Sequence, residues 1–140
     1  MATFISHSVE ETIAFAREWS ASLQPNDVVA LRGELGAGKT HFVKGLVAGC
    51  GSTEAVTSPT FAILHEYGGG RLPIFHFDFY RLDHRSEVER LGFDDYLNDN
   101  AITVIEWADR FPELLPERAR WVELSAAGPH ERAIREISAA

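Results

Sequence analysis

The stretch GELGAGKT, residues 33–40, follows directly on the apolar run VVAL, residues 28–31. It fits the phosphate-loop pattern G-x-x-x-x-G-K-[ST], whose glycines let backbone N–H groups turn toward a bound phosphate. In this pattern Lys39 reaches the β- and γ-phosphates, and the hydroxyl of Thr40 binds Mg²⁺. The stretch therefore predicts a nucleotide site between a strand and a helix. The residues assigned to it are Gly33, Glu34, Leu35, Gly36, Ala37, Gly38, Lys39, Thr40 and His41.

The bulk composition is that of a folded globular protein. The chain has 140 residues, 45% of them hydrophobic and 24% charged, which predicts a single domain over residues 1–140. No apolar run approaches the roughly 20 residues that a membrane-spanning helix needs, and the N-terminus lacks the pattern of a signal peptide. Cys50 is the only cysteine, so no internal disulfide is possible. We expect a protein of the cytoplasm without a membrane partner.

The charge balance argues against direct binding of nucleic acid. The formal net charge is −8, and no run of lysines and arginines occurs. Proteins that hold phosphate backbones need clustered basic side chains. Any contact with RNA is therefore expected to pass through a protein partner.

The chain around the loop alternates between helical and strand patterns. Ser8 and Glu11 form a capping box that opens a helix reaching to about residue 23, and a second helix runs from Gly38 to about Ala48. Short helices are expected within residues 85–97 and between the prolines at 112 and 116. Strands are expected at AITVIEW and RARWVELS, with RAIREIS as a further one. This order predicts an α/β fold, a three-layer α/β/α sandwich with a mixed central sheet.

Two β-rich runs flank GGGR, residues 68–71, which predicts a hairpin. In the second run Phe75, Phe77 and Phe79 alternate with polar residues. Because successive side chains of a strand point to opposite faces, His76 and Asp78 share the face opposite the three phenylalanines. His76 is then either a proton shuttle or a histidine packed into the sheet.

A magnesium nucleotide also needs a carboxylate at the end of a neighbouring strand. Glu106 ends the apolar run ITVI, and Asp78 ends IFHF. Both are candidate catalytic residues, and their spacing does not decide which of them contacts the metal. Trp107, next to Glu106, either stacks on a base or fills the core.

The segment TSPTF, residues 57–61, lies between the second helix and the hairpin, where switch segments occur in phosphate-loop proteins. The hydroxyls of Thr57, Ser58 and Thr60 would sense a γ-phosphate or hold the water that attacks it. The other interpretation is a polar turn around Pro59. The guanine-reading sequence N-K-x-D is absent, which favours adenine as the base.

In order and spacing, GELGAGKT, VTSPTF, HFDFYRLD, LGFDDYL and VIEW together resemble the TsaE family. The similarity runs from about Ser8 to Ser125. It implies a P-loop NTPase fold and an ATPase, with ATP and Mg²⁺, in tRNA threonylcarbamoyladenosine modification. It also implies action on the TsaB–TsaD pair, which holds the tRNA and transfers the threonylcarbamoyl group. The alternatives are a small P-loop kinase and a nucleotide-gated adaptor in which hydrolysis is incidental.

The resemblance also implies roles for single residues. Thr40 and Glu106 would hold Mg²⁺, and Asp78 matches the essential aspartate of its block. Residues 57–60 match the switch segment, with Thr60 as a catalytic residue. Trp107 matches a tryptophan near the nucleotide and the partner surface. The chain departs from the family at Phe79, where leucine is usual, and at residues 108–109, where proline and glutamate are usual.

Overall fold

A computed structural model describes residues 3–34, 36–56 and 64–137, which form one seven-stranded sheet with helices on both faces. The strands are β1 (Thr3–Ser6), β2 (Val28–Arg32), β3 (Leu64–Tyr67), β4 (Ile74–Asp78), β5 (Ile102–Glu106), β6 (Arg120–Gly128) and β7 (Glu131–Ile137). The α-helices are α1 (Val9–Trp19), α2 (Lys39–Gly49), α3 (Arg85–Arg90) and α4 (Phe93–Tyr96). Short 3₁₀ turns occupy Ser20–Ser22, Ala108–Arg110 and Pro112–Leu114.

The sheet is mixed, as predicted. Its strand order is β1-β7-β6-β2-β5-β4-β3. The four central strands, β6, β2, β5 and β4, run parallel, whereas β3, β7 and β1 are antiparallel to their neighbours. The hairpin predicted around GGGR is the β3–β4 pair. Ligands of open parallel sheets bind beyond the carboxyl ends of the strands, so this topology points to the end of β2.

Two apolar cores cover the two faces of the sheet and confirm the three-layer architecture. Along β2, Val29 and Leu31 pack in the core that contains α1 and α2. Val28 and Ala30 belong to the opposite core, which contains α3 and α4. The three phenylalanines of the second hairpin run also lie in that opposite core, as their alternation predicts. Within the described ranges, no helix combines the length and apolar character needed to cross a bilayer.

Two details differ from the expectation. The sequence did not predict β1, a four-residue edge strand that is ordered by pairing with β7. The first helix ends at Trp19 rather than near residue 23, because a 3₁₀ turn over Ser20–Ser22 replaces its last turn. The Ser20 hydroxyl donates to the carbonyl oxygen of Arg17 at 2.6 Å. Such a serine bond to a nearby carbonyl competes with helix continuation.

Helices α1 and α2 approach each other closely through two glycines of α2. A Cβ atom on Gly45 would overlap the carbonyl oxygen of Ile13 and lie 2.5 Å from Cβ of Ala16. A Cβ atom on Gly49 would overlap the Ser20 hydroxyl. Glycine is therefore required here by packing, although it is a poor helix former.

We expect Gly45→Ala to lower the free energy of unfolding by about 1–3 kcal/mol, since an added methyl group would overpack this contact. The same exchange in an unobstructed helix stabilises by about 1 kcal/mol, so the sign of the change is diagnostic. Urea unfolding measures it. Gly68→Ala is the control, because its new Cβ would meet nothing nearer than 3.9 Å. A Gly45→Ala protein as stable as the parent would contradict the close packing.

Candidate nucleotide site

The phosphate-loop sequence leaves β2 at the carboxyl edge of the parallel strands. The neighbouring strand β5 ends there at Glu106, and β4, one strand further, ends at Asp78. Asp78 and Glu106 are paired in register across β4 and β5. The fold thus brings the loop and both predicted carboxylates to one edge, with Glu106 on the strand next to the loop.

The loop backbone has the shape that its glycines allow. Gly38 has φ 100°, in the left-handed region, and it directly precedes the first turn of α2. Gly33 passes so close to β6 that a Cβ atom would overlap the carbonyl oxygen of Leu124. The N-terminus of α2 follows the loop directly, and its positive dipole end favours an anion there.

Lys39 folds back over its own loop. Its Nζ donates to the carbonyl oxygens of Gly33 at 2.6 Å and Glu34 at 2.9 Å. It also lies 4.1 Å from the ring centroid of Trp107, within cation–π range. Burial lowers the pKa of Lys39, and the carboxylates of Glu106, Asp109, Asp78 and Glu34 oppose this change. The ammonium group is thus held above the loop by two backbone carbonyls and the Trp107 ring.

Thr40 and Glu106 lie together as the sequence predicts. The Thr40 hydroxyl is 3.1 and 3.2 Å from the two carboxylate oxygens of Glu106, which is 3% exposed. Hydroxyl and carboxylate oxygens are the ligand types that Mg²⁺ prefers, so these side chains fit that ion. The described residues contain no cluster of three or more His, Cys, Asp or Glu side chains arranged for a metal. Magnesium would accordingly take its remaining ligands from phosphate and water.

Asp78 ends β4, which lies one strand further from the loop than β5 with Glu106. Its Oδ1 accepts a hydrogen bond from the backbone N–H of Tyr80 at 2.9 Å. Burial raises the pKa of the Asp78 carboxyl; the Tyr80 N–H lowers it, and the nearby Glu106 carboxylate raises it further. A carboxylate whose pKa is raised in this way is a better proton acceptor than an exposed one.

His76 is fully buried and makes a specific contact that neither interpretation of the sequence foresaw. Its Nε2 lies 2.6 Å from Oε2 of Glu106, and its Nδ1 lies 3.2 Å from the hydroxyl of Tyr67. The register of the hairpin is the signal that could have predicted the contact between His76 and Tyr67. His65 lies opposite His76, and Tyr67 lies two residues further on the same face.

Trp107 is partly buried, so it is neither a core residue nor a fully exposed one. It adopts the left-handed conformation, with φ 59° and ψ 36°, directly after β5. Its ring contacts both Lys39 and the half-exposed Tyr80, whose ring centroid is 4.8 Å away. Arg110 anchors the segment that carries Tyr80 through the carbonyl oxygens of Tyr80 and Leu82. The two aromatic rings form an outer wall beside the loop.

A cavity of about 400 Å³ opens on the other side of the loop. Its walls come from the start of α1, from α2 and from the β6–β7 turn, and include His7, Ser8, Gly36, His41, His130 and Arg132. Arg132 donates to the carbonyl oxygen of Gly36 at 3.3 Å and so ties this wall to the loop. Nδ1 of His41 is buried and has no hydrogen-bond partner among the described residues. Burial lowers the pKa of His41, and the positive charge of Lys44 adds to this effect.

Several residues that the sequence assigns to the site lie outside the residues that the structure describes. Leu35 of the loop and Thr57, Ser58 and Thr60 of the TSPTF segment are not among the described residues, so their roles stay predictions. The cavity walls at His7, His130 and Arg132 were missed by the sequence reasoning. No local pattern marks them, because they lie at opposite ends of the chain and meet only through the pairing of β1 with β7.

The model of one protein family, described as threonylcarbamoyl adenosine biosynthesis protein TsaE, matches residues 6–134. The chain belongs to the TsaE family. The TsaE protein of Bacillus subtilis is 44% identical over 125 residues, covering 89% of this chain and 78% of the relative. That of Treponema pallidum is 37% identical over 130 residues, covering 93% and 96%.

A solved structure supports the TsaE fold independently. The crystal structure of Bacillus subtilis YdiB superposes on this chain with a TM-score of 0.85 at 36% sequence identity. The match covers 99% of this chain and 86% of that one. Membership in the TsaE family and the α/β architecture, both expected from the sequence, are thereby confirmed. As a TsaE-family member, the chain belongs among the proteins of tRNA threonylcarbamoyladenosine biosynthesis.

Proposed function

We propose that this chain binds ATP with Mg²⁺ and hydrolyses it, and that it does so on the TsaB–TsaD pair of the modification machinery. The observation that carries the proposal is the convergence of Lys39, Thr40 and Glu106 at the carboxyl ends of β2 and β5. Lysine at the β- and γ-phosphates and a hydroxyl–carboxylate pair at the metal are the recurring parts of phosphate-loop sites.

The two sides of the loop differ, and the difference gives the bound nucleotide a direction. Lys39, Asp78 and Glu106 mark the end where the γ-phosphate would lie. The cavity around His41 and Arg132 lies on the opposite side of the loop and would take the base and ribose. Its imidazole and hydroxyl side chains offer hydrogen-bond partners to an adenine ring. The base of ATP would thus lie near the start of α1, and its γ-phosphate would lie toward Trp107.

The hydrolytic step assigns different tasks to the two acids. Magnesium at Thr40 and Glu106 would offset the charge that develops on the β- and γ-phosphates. Both oxygens of Glu106 are within hydrogen-bond distance of Thr40 or His76. Orienting the attacking water therefore falls to Asp78, together with a hydroxyl of the TSPTF segment.

A protein partner is proposed because of charge and surface. With a net charge of −8, the chain offers little attraction to tRNA, so the RNA would be held by the partner pair in the cytoplasm. The aromatic wall of Tyr80 and Trp107 faces outward beside the γ-phosphate end, and aromatic side chains are enriched at protein interfaces. A partner docked there would complete the site and order the water.

We expect slow ATP hydrolysis by the protein alone and a rate at least about 10-fold higher with TsaB–TsaD, since an ordered catalytic group contributes at least that much. Steady-state phosphate release with and without the pair measures this effect, and pull-downs with ATP and ADP test docking. A rate that is already high and indifferent to the pair would contradict the proposal. Acceleration by a small acceptor instead would favour a kinase. Docking that depends on ATP yet is unaltered in a hydrolysis-deficient Glu106→Gln protein would favour the nucleotide-gated adaptor.

A further inference from the structure

The candidate metal ligand Glu106 ends a buried chain of polar side chains that leads to the sheet edge. Nε2 of His76 lies 2.6 Å from Oε2 of Glu106, and the Tyr67 hydroxyl lies 3.2 Å from Nδ1 of His76. The side chains of His76 and Glu106 are 0% and 4% exposed. Buried polar side chains are costly unless their partners are well placed, so this arrangement constrains all three groups.

The chemistry of the groups fixes the direction of the bonds. An ionised carboxylate only accepts hydrogen bonds, so Nε2 of His76 must carry a proton to bind Glu106. In a neutral ring with that proton on Nε2, the other ring nitrogen accepts from the Tyr67 hydroxyl, and this bond favours that tautomer. His65 lies 3.5 Å from the same hydroxyl, at the limit of a hydrogen bond.

We propose that His76 is a positioning residue that orients the Glu106 carboxylate toward Thr40 and the metal, with Tyr67 holding the ring in the required tautomer. The proposal rests on the function proposed above. One carboxylate oxygen is held by His76 and both lie within reach of Thr40, so the carboxylate plane is fixed from two sides. Outer-shell partners of this kind set ligand orientation, and their loss costs about 10–100-fold in metal affinity.

The arrangement also links the metal ligand to strand β3. Tyr67 is the last residue of β3, and β3 is the first described element that follows the TSPTF segment in the chain. A histidine with only a structural role would also need hydrogen-bond partners, but its replacement would not change the Mg²⁺ dependence of ATP binding. The two roles therefore make different predictions for replacements that keep or remove the Nε2 donor.

The test compares His76→Gln with His76→Leu. A glutamine amide can donate to Glu106 from nearly the position of Nε2, whereas leucine cannot. We expect His76→Leu to lose about 10-fold in the Mg²⁺ dependence of ATP affinity, with metal-free ATP binding unchanged, and His76→Gln to regain most of the loss. Tyr67→Phe should show a smaller loss in the same direction. The control is His84→Gln, which alters an exposed histidine at the start of α3, outside this chain of side chains.

A second measurement uses the protein free of nucleotide and metal. Nitrogen NMR of the histidine rings should place the His76 proton on Nε2, and Glu106→Gln should shift that proton's signal. A proton on Nδ1, or equal Mg²⁺ dependence in His76→Leu and the parent, would overturn the proposal. If His76→Leu does not fold, Tyr67→Phe and the NMR result decide. If the parent protein binds no ATP, the proposed function fails while the NMR measurement still tests the positioning role.

Discussion

Lys39→Ala should weaken ATP binding about 100-fold, equivalent to about 2.7 kcal/mol, while the protein stays folded. In the structure the Lys39 ammonium group donates hydrogen bonds to two backbone carbonyls of the loop and contacts the face of the Trp107 ring. These contacts hold the charge where the β- and γ-phosphates would lie. Removal of the charge would leave the loop N–H groups as the main attraction for the phosphates.

The measurement is a nucleotide titration, with circular dichroism and thermal unfolding to check the fold. The control is Lys44→Ala, which removes a lysine from the same helix beyond its first turn. We expect Lys44→Ala to bind ATP as the parent does. Equal affinities for the parent and Lys39→Ala would refute the assignment of the loop.

The second large effect separates the two acids. Glu106→Gln should abolish the Mg²⁺ dependence of ATP binding and lower turnover about 100-fold or more, because Thr40 would lose its carboxylate partner. Glutamine keeps the size of the side chain and an oxygen that can accept from His76, so the fold should be preserved. Asp78→Asn should lower turnover comparably but keep the metal dependence, since Asp78 does not contact Thr40 in the structure.

The two variants serve as controls for each other. ATP affinity is measured with Mg²⁺ and with a chelator, and turnover is measured in the presence of the partner pair. Metal dependence that survives in Glu106→Gln and vanishes in Asp78→Asn would reverse the assignment of the metal ligand.

The sequence alone predicted the parts of the site that depend on local pattern. The glycine spacing of the loop, the apolar runs before Asp78 and Glu106, and the alternation in the hairpin each follow from short-range backbone geometry. The choice between the two acids did not follow, because it depends on the order of strands in the sheet. Only the placement of β5 between β2 and β4 brings Glu106 rather than Asp78 to Thr40.

The residues that line the cavity around His41 and Arg132 could not be predicted from the sequence, for a related reason. His7 follows the first strand and Arg132 lies in the last, and they share a cavity because β1 pairs with β7. Strand β1 has only four residues and no partner near it in sequence, so its pattern carries too little signal. Contacts between the chain ends arise from the assembled sheet.

The glycine contact between α1 and α2 has a consequence for how ATP would be received. The start of α1 borders the cavity that is proposed to take the base, and the start of α2 borders the proposed phosphate site. Because Gly45 and Gly49 allow backbone-to-backbone packing of the two helices, these borders cannot slide past each other without unpacking the core. The distance between the proposed base and phosphate subsites is therefore already set when the protein folds. ATP would then bind without the entropy cost of fixing that distance.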